Sequence, residues 1–528
     1  MITGKNLIGY TLSGKGNNTF SSSILQNDNP SVYSFHEASP EEIDTAAMLA
    51  HKAFSTYRFC TPDQKKSFLE KIAEAIANSK DELVKMAMHE THLPKPRLEG
   101  EVQRTINQAK LFASILEEGS WVKAIIDTAQ PGRTPLPKPD IRQMQIPLGA
   151  VAVFGASNFP FAFSVAGGDT ISALAAGCPV VYKAHPGHPA TSELVGTIII
   201  DIAKECGMPE GVFSLLQSKS NECSIQLVTH PLIKAVGFTG SFTGGEALFD
   251  AAAKRTEPIP VYAEMGSVNP VFILPEIMEQ QATALAEKLA GSNLLSAGQF
   301  CTNPGVIISL RSPGTDNFLD HFSTCVKNAG ADSMLNENIC NNYNSGIKKL
   351  LNSGDITLQS SGKETSAMIS AIPYMFQTSA KIFLSNKELA HEVFGPSSIH
   401  VVADNEEELY AVARQLTGQL TASIWGTDND LSAFSALANE LELKAGRIIF
   451  NNVPTGVEVT HAMVHGGPYP ATSNSQTTSV GSNAIYRFTR AVSYQNSPQL
   501  LLPDALKNEN PLHILRQVNG VFDNNAIV

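Results

Sequence analysis

What the chain lacks narrows its possibilities first. No apolar run nears the roughly twenty residues that span a bilayer; Gly196–Ile200 is broken at once by Asp201 and Lys204. Met1–Asn18 lacks the basic-then-apolar order of an export signal, so a cytoplasmic location is expected. The seven cysteines, at 60, 178, 206, 223, 301, 325 and 340, are odd in number and contain no CxxC pair. That argues against a disulfide framework or a zinc cluster and for a reducing compartment. Net charge is -12 without long runs of either sign. Such a surface repels nucleic acid and anionic membrane, and neither is expected as a partner. Three familiar motifs are missing as well. There is no GxGxxG dinucleotide fingerprint, and Glu246-Ala247 stand where a Walker A loop needs Lys and Ser/Thr. His461 and His465 have i,i+4 spacing, but the glutamate of HExxH is absent and a glycine-proline loop follows. No metal is expected, and these histidines are read as structural or as flanking a site entrance.

What is present is material for a large core. The 528 residues are 43% hydrophobic and 17% charged, enough for two or more domains. Residues 1 to about 40 are polar, and the expectation is an irregular arm with one short strand. Pro40–Glu117 has helical periodicity, with Ser39 before Glu41-Glu42 and Thr61 before Pro62-Asp63 as helix starts. Residues 121–130 and 140–147 read as two strands around a proline-rich turn. Strands and helices then alternate from 149 to 263: strands 149–154, 179–183, 212–216, 235–238 and 261–263 enclose helices between them. A second series runs from helix 282–295 through strands 306–310, 399–402, 421–425 and 447–451. Strands separated by helices with short loops predict parallel, doubly wound sheets.

The polar residues that carry chemistry fall at strand ends, where open α/β sheets bind ligands. Asn158 follows strand 149–154, and its amide is a potential donor to an oxyanion or simply a turn former. Lys183 ends a buried strand and needs an anion or solvent. Gly240-Ser241-Phe242-Thr243-Gly244-Gly245 feeds a helix and suits a phosphate or a tight turn equally. Glu264, followed by Gly266, is either a candidate base or a solvated strand-end acid. Glu392-Val393-Phe394-Gly395-Pro396 sets an acid and an aromatic on a turn. Cys301 lies in Ser296-Ala297-Gly298-Gln299-Phe300-Cys301-Thr302-Asn303-Pro304-Gly305, among small residues that suit an accessible thiol better than a packed one.

In this order these motifs resemble the aldehyde dehydrogenase superfamily over roughly residues 30 to 500. Asn451–Val459, His465–Ser473, Ser157–Phe163 and Lys183–Pro186 are similar to its α-ketoglutaric semialdehyde (2,5-dioxopentanoate) branch, with NADP-dependent fatty aldehyde dehydrogenases as near relatives. The resemblance implies an α/β fold with a Rossmann-like parallel-sheet cofactor domain (1–126 and 148–264), an α/β catalytic domain (265–463) and a small β oligomerisation arm (127–147 and 484–500). It also implies a homodimer or homotetramer. Carried over, Cys301 is the nucleophile, Asn158 the oxyanion donor and Glu264 the base for thioester hydrolysis. Lys183, Gly240, Ser241, Gly245, Glu392 and Phe394 hold the cofactor. Pro186 stands where NAD-preferring members carry a glutamate, so NADP is the expected cofactor with NAD possible, and Lys219 is a second candidate cation for a 2′-phosphate. Arg104, Phe163 and Thr455 are the candidate substrate contacts. The competing readings are a fatty aldehyde dehydrogenase, a cysteine hydrolase without nicotinamide, and a retired nucleotide-binding scaffold.

Overall fold

The computed structural model describes residues 1–26, 29–364 and 369–527. The expected helix starts are capping boxes: the Ser39 and Thr61 side chains accept from the amides of Glu42 and Gln64, whose own side chains return the bond. Each satisfies two amides that a helix end otherwise leaves without partners, and Pro40 and Pro62 occupy first-turn positions that need no N–H donor. The helices they open, Pro40–Tyr57 and Pro62–Asn78, lead through Lys80–Thr91 into Lys95–Glu118.

Two seven-stranded sheets organise the chain. In the first, Val261–Glu264, Ile233–Thr239, Ala150–Phe154, Val180–Lys183 and Phe213–Leu216 run parallel in that spatial order. Each strand is buried on both faces, which is why these segments read as apolar runs rather than alternating ones. In the second sheet, Tyr374–Ser379, Ser397–Ala403, Val306–Leu310, Val271–Ile273, Gln419–Trp425 and Ala445–Phe450 are parallel, and Thr357–Ser361 closes one edge antiparallel. A third sheet of five strands is built from Thr489–Gln495, Ile141–Pro147, Ile125–Asp127, Arg516–Val518 and Val521–Asp523. The expected α/β class with parallel sheets is what the chain adopts.

Two expectations are corrected, and two further regions hold elements that the sequence pattern does not announce. Residues 1–40 are not an irregular arm: Asn6–Ile8 and Thr11–Ser13 extend the first sheet, and Thr19–Gln26 pairs with Asn29–His36. Within 121–130 only Ile125–Asp127 is a strand, preceded by a 3-10 turn at Ser120–Val122. Helix Glu337–Asn352 and strand Tyr374–Ser379 were not anticipated, because asparagine-rich and short polar stretches mask their apolar faces. Finally, Arg516–Val518 and Val521–Asp523, beyond the last strand expected from the sequence, join the third sheet.

A buried ion pair ties the 3-10 turn Ser482–Phe488 to the helix that follows strand Ala150–Phe154. Arg487 lies 2.7 Å from Asp169, at the start of helix Gly168–Ala176. Both side chains are almost wholly buried, so loss of either would strand the other's charge.

Candidate active site

The segment carrying Cys301 is shaped by backbone rather than by a regular element. Ser296, Ala297 and Gly298 take successive left-handed conformations, with φ of 50°, 54° and 63°. Only glycine fits the last: a β-carbon there would sit 2.4 Å from the Gly395 carbonyl. From beneath, the buried Asn269 side-chain amide donates to the carbonyls of Cys301 at 2.9 Å and Asn303 at 3.0 Å. Asn269 is held in turn by Ser267 and Thr421, and Gln419 accepts from its backbone amide. Asn269 carried no role in the sequence reading. Its signal, an asparagine with positive φ before Pro270, becomes visible only once the strands are assembled.

Glu264 ends the edge strand of the first sheet and reaches toward the second. One carboxylate oxygen accepts from the Ser479 hydroxyl at 2.6 Å, and the other lies 2.8 Å from His465 Nε2. The same imidazole nitrogen is 3.5 Å from Cys301 Sγ. Glu264 and His465 are 4% and 1% exposed, whereas Cys301 is partly open to solvent. His465 is thus inside the reactive cluster and is neither a scaffold residue nor an entrance residue, which corrects the reading of His461 and His465 as an equivalent pair. His461 is exposed and bonds Ser482. Carboxylate, imidazole and thiol atoms all lie within 4.8 Å of one another. Such a donor set would also grip a thiophilic divalent ion, at the cost of masking the thiol.

Electrostatics separates the two acids of this cluster. Burial pushes the Glu264 carboxyl up, but contact with His465, the Ser479 hydroxyl and the charge of Arg104 outweigh it, and the group sits below its ordinary value. The Cys301 thiol is pushed far up, first by burial and then by the negative charge of Glu264; Arg104 and Arg447 oppose this. At neutral pH the resting pair is therefore carboxylate and thiol.

Asn158 is 8% exposed, and its side-chain amide donates to the Gln299 carbonyl at 3.2 Å, two residues before Cys301. Arg97 fixes it from behind by donating to the Asn158 carbonyl at 2.7 Å, with its guanidinium over the rings of Phe159 and Phe300. Phe163 packs edge-on to Phe159 with ring centroids 5.4 Å apart and lies 5.7 Å from the His465 ring. Arg104 stacks over Phe163 at 4.8 Å. Thr455 is bound through its hydroxyl to Ser292 at 2.5 Å, which anchors the loop that brings Val457 to the same apolar cluster. Thus Arg104, Phe163 and the Thr455 loop surround the thiol.

A second group of residues lies along the carboxyl ends of the first sheet. The Lys183 ammonium, half-buried, makes no hydrogen bond or ion pair with any described residue, and burial pulls it below its ordinary value. Ser241 caps helix Phe242–Ala253 by accepting from Gly244, and the Gly245 amide bonds the Ser241 carbonyl. The glycine amides are thus already satisfied. The amides of this loop that remain without acceptors among the described residues are those of Ser241, Phe242 and Thr243. Gly245 serves close packing, since a β-carbon there would lie 2.7 Å from Met265; one on Gly240 would lie 2.6 Å from the Phe238 ring. Glu392 approaches Gly266 so closely that a β-carbon on the glycine would be 2.5 Å from its carboxylate. Phe394 shares a cavity with Glu392, Ser267, Gly298 and Phe300. The Lys219 backbone amide donates to the Glu37 carboxylate at 2.9 Å, and the Glu37 charge also reaches Lys183. An unpaired ammonium at a strand end, free amides at a helix start and an acid facing a glycine fit the ribose, pyrophosphate and second ribose of a dinucleotide.

A carboxylate–imidazole–thiol cluster, with an unpaired ammonium and free helix-start amides at the strand ends of the first sheet, defines a class, and the aldehyde dehydrogenase family model matches residues 16–491. The chain belongs to that family and is an NAD(P)-using oxidoreductase acting on aldehydes. Among curated relatives it is 48% identical to the α-ketoglutaric semialdehyde dehydrogenase of Acinetobacter baylyi, over 94% of each chain. It is 45% identical to α-ketoglutaric semialdehyde dehydrogenase 2 of Azospirillum brasilense, over 92% of this chain and 93% of that one. In fold it is similar to betaine aldehyde dehydrogenase of Staphylococcus aureus in complex with NAD+, with a TM-score of 0.79 at 19% identity, covering 95% of this chain and 96% of that one. No helix among the described residues is long and apolar enough to cross a membrane.

Proposed function

We propose that the protein oxidises 2,5-dioxopentanoate (α-ketoglutaric semialdehyde) to 2-oxoglutarate through a thioester on Cys301. The observation that carries the chemistry is the 2.8 Å and 3.5 Å contacts of His465 with Glu264 and Cys301; the substrate follows the two relatives of 45–48% identity. In this reading the thiol proton passes to the His465–Glu264 couple as sulfur attacks the aldehyde carbon. The developing oxyanion takes hydrogen bonds from the Asn158 amide and the Cys301 backbone N–H. When the cofactor is bound, its nicotinamide accepts the hydride that converts the thiohemiacetal to a thioester. Glu264, kept ionised by its partners, then draws a proton from the water that hydrolyses the thioester.

Lys183 holds the adenosine ribose, Ser241 with the free amides of Phe242 and Thr243 the pyrophosphate, and Glu392 the nicotinamide ribose beside Phe394. At the adenosine end both signs of charge meet. Pro186 removes the carboxylate that would repel a 2′-phosphate, and Lys219 adds a cation, while Glu37 restores an acid from another segment. That balance favours use of both NADP and NAD over the NADP preference that Pro186 alone predicts. The seven cysteines, all free, suit a reducing compartment such as the cytoplasm. The five-stranded sheet, with Thr489–Gln495 on its open edge, is the surface for self-association into a dimer or tetramer.

Steady-state kinetics test the substrate. The value of kcat/KM for 2,5-dioxopentanoate exceeds that for pentanal and hexanal; equal values would remove the keto acid and favour a general aldehyde dehydrogenase. Replacing Asn158 by Ala lowers kcat by about 10²–10³, the usual loss for one oxyanion donor. A change confined to KM would remove Asn158 from the oxyanion site.

A further inference from the structure

Three arginines act on the Cys301 thiol through their charge, and they are not equivalent. Arg97 is committed through Nη2 to the Asn158 carbonyl, with the charge of buried Glu101 beside it, while its Nε and Nη1 are buried without acceptors among the described residues. Arg104 is not. Half-buried against Phe159 and Phe163, its guanidinium makes no hydrogen bond or ion pair with any described residue. The acids whose charges reach it, Glu101, Glu264 and Glu458, form no ion pair with it.

Arg447 was not singled out from the sequence. It lies on the strand Ala445–Phe450 and donates to the carbonyls of Gly456 at 3.0 Å and Pro454 at 2.8 Å. Those bonds hold the loop that carries Thr455. Its Nε is buried and has no acceptor among the described residues, and Nη1 and Nη2 each keep a second N–H beyond these bonds. The charges of Arg447 and Arg104 repel each other, and no carboxylate among the described residues forms an ion pair with either. A buried donor without an acceptor is costly, and two like charges sharing a low-dielectric pocket add to that cost. A carboxylate between them removes both penalties, and guanidinium groups match its geometry in bidentate fashion.

We propose that Arg447, together with Arg104, is the clamp that binds the anionic end of the substrate and sets specificity for aldehydes carrying an α-keto carboxylate. This deepens the reading above and rests on it. With the aldehyde carbon on Cys301, the carboxylate lies at the far end of a five-carbon chain, and Phe163 and Val457 flank the methylenes between. Arg447 thereby links pocket wall and charge recognition in one side chain.

The test is the ratio of kcat/KM for 2,5-dioxopentanoate over pentanal, a neutral aldehyde of equal chain length. It is measured in the full-length wild type, Arg447→Gln, Arg447→Lys and Arg104→Gln. The ratio falls at least about tenfold in Arg447→Gln, the scale of one lost charge-assisted hydrogen bond, and Arg447→Lys recovers part of it. Arg104→Gln lowers the same ratio and, having no loop bonds to lose, keeps the test decisive if Arg447→Gln does not fold. A parallel loss for both aldehydes in Arg447→Gln, or an unchanged ratio in Arg104→Gln, overturns the clamp and leaves Arg447 a loop tether. A wild type without preference for the keto acid instead overturns the substrate reading itself.

Discussion

Replacing Cys301 by Ala abolishes NAD(P)H formation, lowering kcat by at least about 10⁴. The expectation rests on the absence of a substitute. The other cysteines lie away from this cluster, and Cys178, Cys223 and Cys340 are buried. Asn158 and the backbone amide at 301 stabilise charge only after a nucleophile has added, so they give little without sulfur. Binding of NAD or NADP, followed by the fluorescence of the bound cofactor or by calorimetry, persists in this variant because Lys183, Ser241 and Glu392, the residues proposed to hold the cofactor, are untouched. Turnover within tenfold of the wild type would assign the chemistry elsewhere.

The second large effect separates acylation from hydrolysis. In Glu264→Gln, steady-state kcat falls by about 10²–10⁴, the range of a lost general base. One equivalent of NAD(P)H per subunit still forms in a burst, because His465 remains beside the thiol to take its proton and hydride leaves before water is needed. The direction of the thiol shift gives an independent reading. The Glu264 charge, after burial, holds the Cys301 thiol above its ordinary value. Removing that charge moves the thiol pKa down, so the pH midpoint for iodoacetamide alkylation of Cys301 in the cofactor-free enzyme moves to lower pH. A midpoint that stays in place, or rises, would mean that Glu264 does not act on the thiol through its charge.

These effects were only partly legible in the chain. Cys301, Glu264 and Asn158 stand at or just beyond the ends of strands and helices, which makes them candidates, but each position alone fits an ordinary turn or packing residue, and only their order along the chain, through the resemblance it carries, implies their roles. Parallel strands are equally readable, since burial on both faces writes a continuous apolar run at Ala150–Phe154 and Val306–Leu310. His465 is different. Its meaning depends on a contact across 201 positions with Glu264 and 164 with Cys301, and its neighbourhood of glycine and proline looks like an ordinary loop. Asn269 and Arg447 share this property: one just before a strand of the second sheet and the other within that sheet, both act on the site through bonds to backbone carbonyls that no spacing rule encodes. The helix Glu337–Asn352 was missed for a local reason, its many asparagines being poor helix formers that here cap and face solvent. Tertiary packing of Cys340, Tyr343, Ile347 and Leu350 supplies what propensity withholds.

The central claim is that an acyl group derived from 2,5-dioxopentanoate forms on Cys301. Peptide mass spectrometry of Glu264→Gln, quenched in acid after mixing with 2,5-dioxopentanoate and cofactor, tests it most directly. The predicted result is a mass increase of one 2-oxoglutaryl group on the Cys301 peptide, dependent on cofactor and removed by hydroxylamine. An unmodified Cys301 peptide after a full burst, or the acyl group on another cysteine, would contradict the account.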